Sequence, residues 1–279
     1  MLSELDGRVA VVTGAGSGIG RSLVVALAAE GMRVVAADVE GDAVHETVAL
    51  VPGDDVVATT TDVRDAAAVD ALAAHTYERF GAAHLLCNNA GVFQGGVLWE
   101  RTDAELEWVL GVNLWGILNG IRSFVPRMLA ASTPGHVVNT ASMAGLASLP
   151  LSGPYVISKF AAVAASESLG HDLQSIGAPI GVSVLCPSLV ATAIATSGRN
   201  APAGVGGGER TPDVELVEQA LADSTANDGM PPDEVAGLVI DAVRNGTFYI
   251  GTKPSFADQV QQRTEAVLDR RLPPMPAID

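Results

Sequence analysis

The chain has 279 residues, 48% of them hydrophobic and 17% charged, a balance that excludes disorder and supplies ample material for a core. Acidic residues outnumber basic ones 32 to 16, and the net charge of −16 argues against nucleic acid as a partner. No apolar run reaches the ~18 residues of a membrane span, and the opening MLSELDGRVA lacks the apolar stretch of a secretory signal, so no membrane partner is expected.

Along the chain, short valine-rich runs alternate with longer segments whose apolar residues recur at helical spacing. Strands are predicted over 8–13, 33–38, 55–60, 84–88, 135–140, 180–186 and 247–250, and helices over 18–30, 65–80, 103–131 and 155–175. This alternation is the pattern of a parallel sheet with crossover helices, here one doubly wound α/β domain without internal repeats. The two cysteines, Cys87 and Cys186, fall in strand runs and cannot form a disulfide framework. They read as buried thiols of a reducing, cytoplasmic compartment.

One segment interrupts the rhythm. Residues 189–230 contain the aperiodic stretch SGRNAPAGVGGGERTP, and a segment this long inside a compact domain is either a functional lid or disordered. A short helix is expected over 213–223. The domain therefore divides into a nucleotide-binding and catalytic core (1–188), a lid (189–230) and a tail (252–279). The tail carries a modest helical pattern and then Pro273, Pro274 and Pro276; it either frays or docks on a neighbour.

The first strand runs into Thr13-Gly14-Ala15-Gly16-Ser17-Gly18-Ile19-Gly20, after which a helix begins. Glycines at this spacing permit a tight turn, close backbone approach to a pyrophosphate, and close packing of helix on strand. The helix N-terminus that follows offers free N–H groups and the positive end of its dipole. A strand before and a helix after make dinucleotide binding a better account than a turn that binds nothing. Asp38 ends the second strand 18 residues after Gly20, where a carboxylate can accept hydrogen bonds from the adenosine ribose hydroxyls and repel a 2′-phosphate. Ala15, Ser17 and Val39 offer no cation to reverse that preference, so NAD(H) is favoured over NADP(H). A turn-forming role for Asp38 is the alternative.

Tyr155 and Lys159 are four residues apart at the start of a helix, so phenol and ammonium address one small volume. A free phenol titrates near ~10, too high for acid–base work at neutral pH, and a nearby cation favours its ionised form. With three tyrosines and two lysines in the chain, chance is a poor account of the pair. A packed pair without chemistry is the alternative.

Taken together these motifs resemble the short-chain dehydrogenase/reductase family, strongly over residues 7–192 and more loosely to about 251. Further motifs agree: Asp62-Val63 after the third strand, Asn88-Asn89-Ala90-Gly91 after the fourth, Asn113 in the fourth helix, and Ser142, thirteen residues before Tyr155. The resemblance implies a Rossmann-type fold with a seven-stranded parallel sheet and helices on both faces. It implies that Asp62 meets the adenine amino group, with an N-cap as a compatible second role, and that Asn89, Ala90 and Gly91 line the adenosine side. It further implies Tyr155 as general acid or base, Lys159 lowering its pKa and holding the nicotinamide ribose, Ser142 donating to the substrate oxygen, and Asn113 holding a water in a proton relay. A homotetramer, or a dimer, built on the two long helices is also implied.

One motif departs from the family. Where PGxVxT is usual, the chain reads Pro187-Ser188-Leu189-Val190-Ala191-Thr192. A glycine-type backbone conformation at Ser188 is therefore absent or strained. Pro187, Val190 and Thr192 still match the positions that hold the carboxamide, while Ser188 changes the shape of the substrate site. Leu189, Ala193 and Ile194 on the lid, with Leu146, Leu149 and Leu151, point to a mainly apolar substrate. The five histidines lack metal-ligand spacing and read as surface or capping residues. Trp99, Trp108 and Trp115 read as core or subunit contacts, with substrate contact as the alternative.

The expectation is an NAD-dependent enzyme interconverting a secondary alcohol and a ketone. Two other readings stay open: a biosynthetic ketoreductase using NADPH, which Asp38 opposes, and a nucleotide-binding regulator without turnover, which the intact Asn113, Ser142, Tyr155 and Lys159 set opposes.

Overall fold

The computed structural model describes residues 2–205 and 211–276. The lid stretch 206–210 and the expectations for residues 277–279 lie outside the described residues. Seven parallel strands, β1 (Val9–Thr13), β2 (Arg33–Asp38), β3 (Val56–Thr60), β4 (Leu85–Asn88), β5 (Gly135–Thr140), β6 (Ile180–Cys186) and β7 (Tyr249–Gly251), form one sheet in the order β3-β2-β1-β4-β5-β6-β7. Strand order reverses between β1 and β4, and in such a sheet ligands bind outside the carboxyl ends of the strands at that crevice.

Each central strand is buried on both faces, which is why it reads as a run of apolar residues without polar alternation. Period-two geometry then sends neighbours to opposite layers. Ala10 and Val12 pack with Leu23, Leu27, Val235 and Val239 on one face, and Val9 and Val11 with Leu72, Phe124 and Leu173 on the other. The first layer is carried by α1 (Gly18–Ala29), α2 (Gly41–Ala49) and, late in the chain, α8 (Pro232–Asn245). The second consists of α3 (Ala66–Phe80), α4 (Asp103–Leu110), α5 (Gly116–Ala131) and α6 (Gly153–Ser175). The expected Rossmann-type sheet with helices on both faces is thus present.

Three sequence expectations change. The single helix expected over 103–131 is two helices joined by a π-helical turn, Gly111–Trp115, in which one extra residue is inserted. The helix after β3 is capped by Asp65, which accepts from the Ala67 N–H at 2.8 Å, and not by Asp62. The lid is largely structured: a 3-10 segment, Ile194–Asn200, is followed by α7 (Pro212–Asp228), longer than the helix expected there. α2 was not predicted, because its nine residues bury only Val44 and Thr47 and so carry little periodicity. The tail forms α9 (Ser255–Leu268). Beyond it, Leu272 and Met275 are exposed, and Pro276 reaches the mouth of the chain's own cleft.

Of the histidines, 45, 75 and 171 are exposed as expected. His84 and His136 are buried, which corrects a surface role. His84 accepts from the Val9 N–H at 3.1 Å, and the ring of His136 pairs with the Ser183 hydroxyl at 2.7 Å. Both cysteines are buried and unpaired, with burial pushing each thiol up to about 12. Among the described residues no helix is long and apolar enough to cross a membrane, and no cluster suited to a metal ion occurs.

Candidate active site

One cleft lies above the carboxyl ends of the strands, running from the end of β2 past the β1–α1 turn to the start of α6. The turn needs glycine at two points. Gly14 has φ +67°, and a Cβ there would come within 2.7 Å of the Ala90 backbone. Gly18 has φ +50°, and a Cβ there would meet the Thr192 methyl at 2.8 Å. Gly16, Ser17 and Ile19 also face the cleft. Gly20 does not: a Cβ there would strike the Gly14 carbonyl at 1.9 Å, so it serves the packing of α1 on the turn. Ser17 occupies the N-cap of α1 but makes no side-chain cap bond, in contrast to the capping box of Thr102 and Glu105 on α4. The first N–H groups of α1 are thereby left for an anion.

The far end of the cleft is rich in paired charge. The Asp38 carboxylate accepts from the Gly16 N–H at 2.8 Å through one oxygen and from the Glu40 N–H at 2.9 Å through the other. The Asp62 carboxylate is gripped by the Arg64 guanidinium at 2.6–3.0 Å. Burial raises the Asp62 pKa, but the hydrogen bonds from Arg64 outweigh it and hold the group below its ordinary value. Val63 and the Asn89–Gly91 stretch complete this wall. Asn89 is clamped to the end of β1, donating to the Thr13 carbonyl at 3.0 Å, and Asn88 donates to Asn139 at 2.9 Å, so the motif braces β1, β4 and β5.

At the other end three of the four expected side chains, Ser142, Tyr155 and Lys159, line the cleft together, with Asn113 behind them. Tyr155 and Lys159 project from one face of α6 beside Ser142 at the end of β5, close enough for the Ser142 hydroxyl to lower the phenol pKa. The Ser142 hydroxyl accepts from the Ala144 N–H at 3.1 Å and lies 3.4 Å from the Pro187 carbonyl. The Lys159 ammonium is buried, donates to the Thr140 carbonyl at 2.9 Å, and stands 5.5 Å from the centre of the Tyr155 ring. Burial alone pushes Lys159 down to about 8 and Tyr155 above the usual phenol value, with the Ser142 hydroxyl opposing the latter. The lowered phenol pKa expected from the sequence is therefore not a property of the protein groups by themselves.

Asn113 sits in the π turn and is fully buried, off the cleft surface. Its side chain is fully engaged: it accepts from the Val92 N–H and donates to the Val92 carbonyl and the Ser158 hydroxyl, at 2.8–2.9 Å. Ser158 in turn donates to the Tyr155 carbonyl at 2.7 Å. Asn113 thus pins α6 between its two chemical side chains.

The wall beside Tyr155 is apolar. Leu149 and Leu189 line it as expected, with Ala193 and Ile194; Leu146 packs against the core instead. Pro187, Val190 and Thr192 also line the cleft, and Val190 forms a bridge with Met230 that closes the base of the lid. Ser188 carries no left-handed strain; its N–H donates to the Thr252 hydroxyl at 2.9 Å. The left-handed residue near the site is Leu151 (φ +54°), whose carbonyl accepts from the Gly96 N–H at 2.7 Å. Sequence reasoning missed Phe93, whose ring lies 5.1 Å from that of Tyr155, and Val217 and Leu221 of α7. No local pattern marks them: packing sets Phe93 beside Tyr155, and only the folded lid brings Val217 and Leu221 here. Trp108 is buried and borders the cleft, whereas Trp99 and Trp115 are exposed.

Comparison with known proteins agrees with this geometry. A family model described as short chain dehydrogenase matches residues 8–203. A 1-deoxy-11-beta-hydroxypentalenate dehydrogenase of Streptomyces exfoliatus is 38% identical over 251 residues, covering 88% of this chain and 83% of the relative. A C alpha-dehydrogenase of a Sphingobium strain is 32% identical, covering 98% and 89%. The crystal structure of a short-chain dehydrogenase/reductase from Burkholderia phymatum, in complex with NAD, superimposes with a TM-score of 0.95 at 41% identity, covering 98% of this chain and 99% of that one. The chain belongs to the short-chain dehydrogenase/reductase family of oxidoreductases.

Proposed function

We propose that the protein is an NAD(H)-dependent enzyme that interconverts a secondary alcohol and its ketone on a mainly apolar small molecule. The observation that carries this reading is that Tyr155, Ser142 and the buried Lys159 ammonium line the inner end of one cleft whose other end holds Asp38. The residues present fit a dinucleotide. The glycine turn leaves no room for a Cβ, the start of α1 is open to an anion, and Asp38 stands where ribose hydroxyls would donate. The Burkholderia neighbour, at 41% identity, was solved with NAD, which supports the choice of cofactor.

When bound, the nicotinamide would supply or accept the hydride and, in its oxidised form, bring a positive charge. The chain's own groups handle the proton. In ketone reduction Tyr155 holds its proton, as burial favours, and delivers it from Oη to the substrate oxygen. Ser142 donates to that oxygen as negative charge develops on it. In oxidation Tyr155 takes up the alcohol proton, and the Lys159 ammonium stabilises the phenolate that must form first. Asn113 acts through α6: with its side-chain bonds spent on Val92 and Ser158, any water it holds for a relay meets its main-chain carbonyl in the π turn.

Two cations, Arg64 and Arg199, line the adenosine end and would favour NADPH if free, but they are paired with Asp62 and Glu40. The relatives named as dehydrogenases, one of a hydroxypentalenate, agree with an alcohol or ketone substrate. A cytoplasmic homotetramer paired through α5 and α6 completes the proposal; Trp115 and Ile157 on that side are exposed in the single chain.

The test is an NADH- and NAD-linked activity screen on hydrophobic secondary alcohols and ketones. Turnover that Tyr155→Phe abolishes is expected, with NADH bound more tightly than NADPH. Equal turnover in the variant would sink the mechanism.

A further inference from the structure

The lid segment Ile194–Asn200 is fastened at both ends of the cleft, to residues far away in sequence. Near Tyr155, the buried Ser197 hydroxyl accepts from the Phe93 N–H at 2.8 Å and lies 3.3 Å from the Phe93 carbonyl. At the far end, the Arg199 guanidinium meets the Glu40 carboxylate at 2.8 Å, and the Asn200 amide donates to the same oxygen at 2.5 Å. Glu40 is two residues beyond Asp38 and occupies the N-cap of α2, a position from which a side chain can accept from the first N–H groups of its helix. It makes no such cap bond and is spent on the lid instead. Arg199 is also held from behind, donating to the Thr196 carbonyl at 3.1 Å, so its planar fork is presented in one orientation. Glu40, Arg199 and Asn200 all line the cleft together with Asp38 and Gly16.

We propose that Glu40, Arg199 and Asn200 form a latch that closes the lid over the adenosine end of a bound dinucleotide and sets how slowly that dinucleotide leaves. The lid thereby belongs to the cofactor site as well as to the substrate site. Ser197 ties its other end beside Tyr155, so the same short segment spans the length over which the dinucleotide would lie. A charge pair that must separate before release acts mainly on the dissociation rate. Neutralising Arg199 in this way also leaves the Asp38 end without a free cation for a 2′-phosphate.

This inference rests on the dinucleotide reading above, and one experiment separates the two. NADH dissociation is followed by stopped-flow fluorescence for the wild-type chain, Glu40→Gln, Arg199→Met, the double variant and Arg199→Lys, with circular dichroism showing that each is folded. Release about tenfold faster is expected in either single variant. The double variant should be no faster than the singles, and Arg199→Lys, which keeps the charge but loses the planar fork, should fall between wild type and the singles. The KM for NAD should rise while that for the alcohol stays nearly constant. If wild type binds NADH and Tyr155→Phe abolishes turnover, yet both single variants release NADH within twofold of wild type, the latch is overturned and the function stands. Additive effects in the double variant overturn it equally. Failure of wild type to bind NADH overturns both.

Discussion

Tyr155 and Lys159 show how burial and charge compete within one pair. Desolvation raises the phenol and brings the ammonium down to about 8, so each group by itself leans toward its neutral form. In the proposed mechanism ketone reduction starts from the phenol that burial favours, whereas oxidation starts from the phenolate. The log of kcat/KM for oxidation should therefore climb with pH across the neutral range at a slope of about one, while that for reduction stays flat or falls. An oxidation profile that falls as pH rises from 6 to 9 would remove Tyr155 as the base. His136 offers a test away from the site. Burial pushes it down to about 4, against an ordinary value of 6.5. Below pH 6.5 the unfolded chain takes up a proton that the folded chain refuses. Its contribution is thus complete above that pH and is lost as pH falls toward 4, on the order of 3 kcal/mol in all. Urea titrations at pH 7 and 4.5 should show the loss, and His136→Gln should flatten it. The motif residues were legible in the sequence because their chemistry demands particular side chains at fixed local spacing. Phe93 was not legible, because an aromatic beside Tyr155 is supplied by packing.

Among the elements, α7 is the one whose placement decides the apolar wall. It is anchored where Arg101, almost wholly buried, bridges Glu105 at 3.3 Å and Asp213 at 3.4 Å. Asp213 also accepts from the Val97 N–H at 2.6 Å, and hydrogen bonds from Thr211 and Val97 hold its carboxyl at about 2. Gly96 makes room for this cluster; a Cβ there would fall 2.6 Å from the Arg101 guanidinium carbon. Replacing Arg101 by methionine leaves Asp213 without its cation, so α7 should loosen. The expected outcome is a KM for substrate raised about tenfold or more, with NADH affinity little changed and faster hydrogen exchange in α7. Unchanged exchange would show that the anchor lies elsewhere. The π turn at Gly111–Trp115 makes the same point about elements. Its apolar spacing is helical on both sides, so the sequence reads as one continuous helix. The extra residue exists because Asn113 must reach Val92 and Ser158 in the interior, a requirement set by β4 and α6.

For the whole molecule, the surface over α4–α6 remains to be satisfied. Trp99 is 86% exposed and Trp115 52%, and the proposed homotetramer would cover them. Light scattering should give a mass four times that of the chain, and Trp115→Asp should lower it; a monomer in the wild type would leave these residues unexplained. The sequence by itself determined the sheet, the strands to within two residues at each start, the glycine turn, and the placing of Ser142, Tyr155 and Lys159 in one cleft. These follow from local rules: burial on both faces makes a strand uniformly apolar, and a tight turn or an i, i+4 pair needs its residues close together in the chain. Only the tertiary structure decided the rest. Arg199 meets Glu40 across 158 intervening residues, α7 and Pro276 arrive at the cleft from late in the chain, and His136 is buried by its neighbours. None of these has a local signature, because the free energy of each contact is realised only when segments distant in sequence are packed against one another.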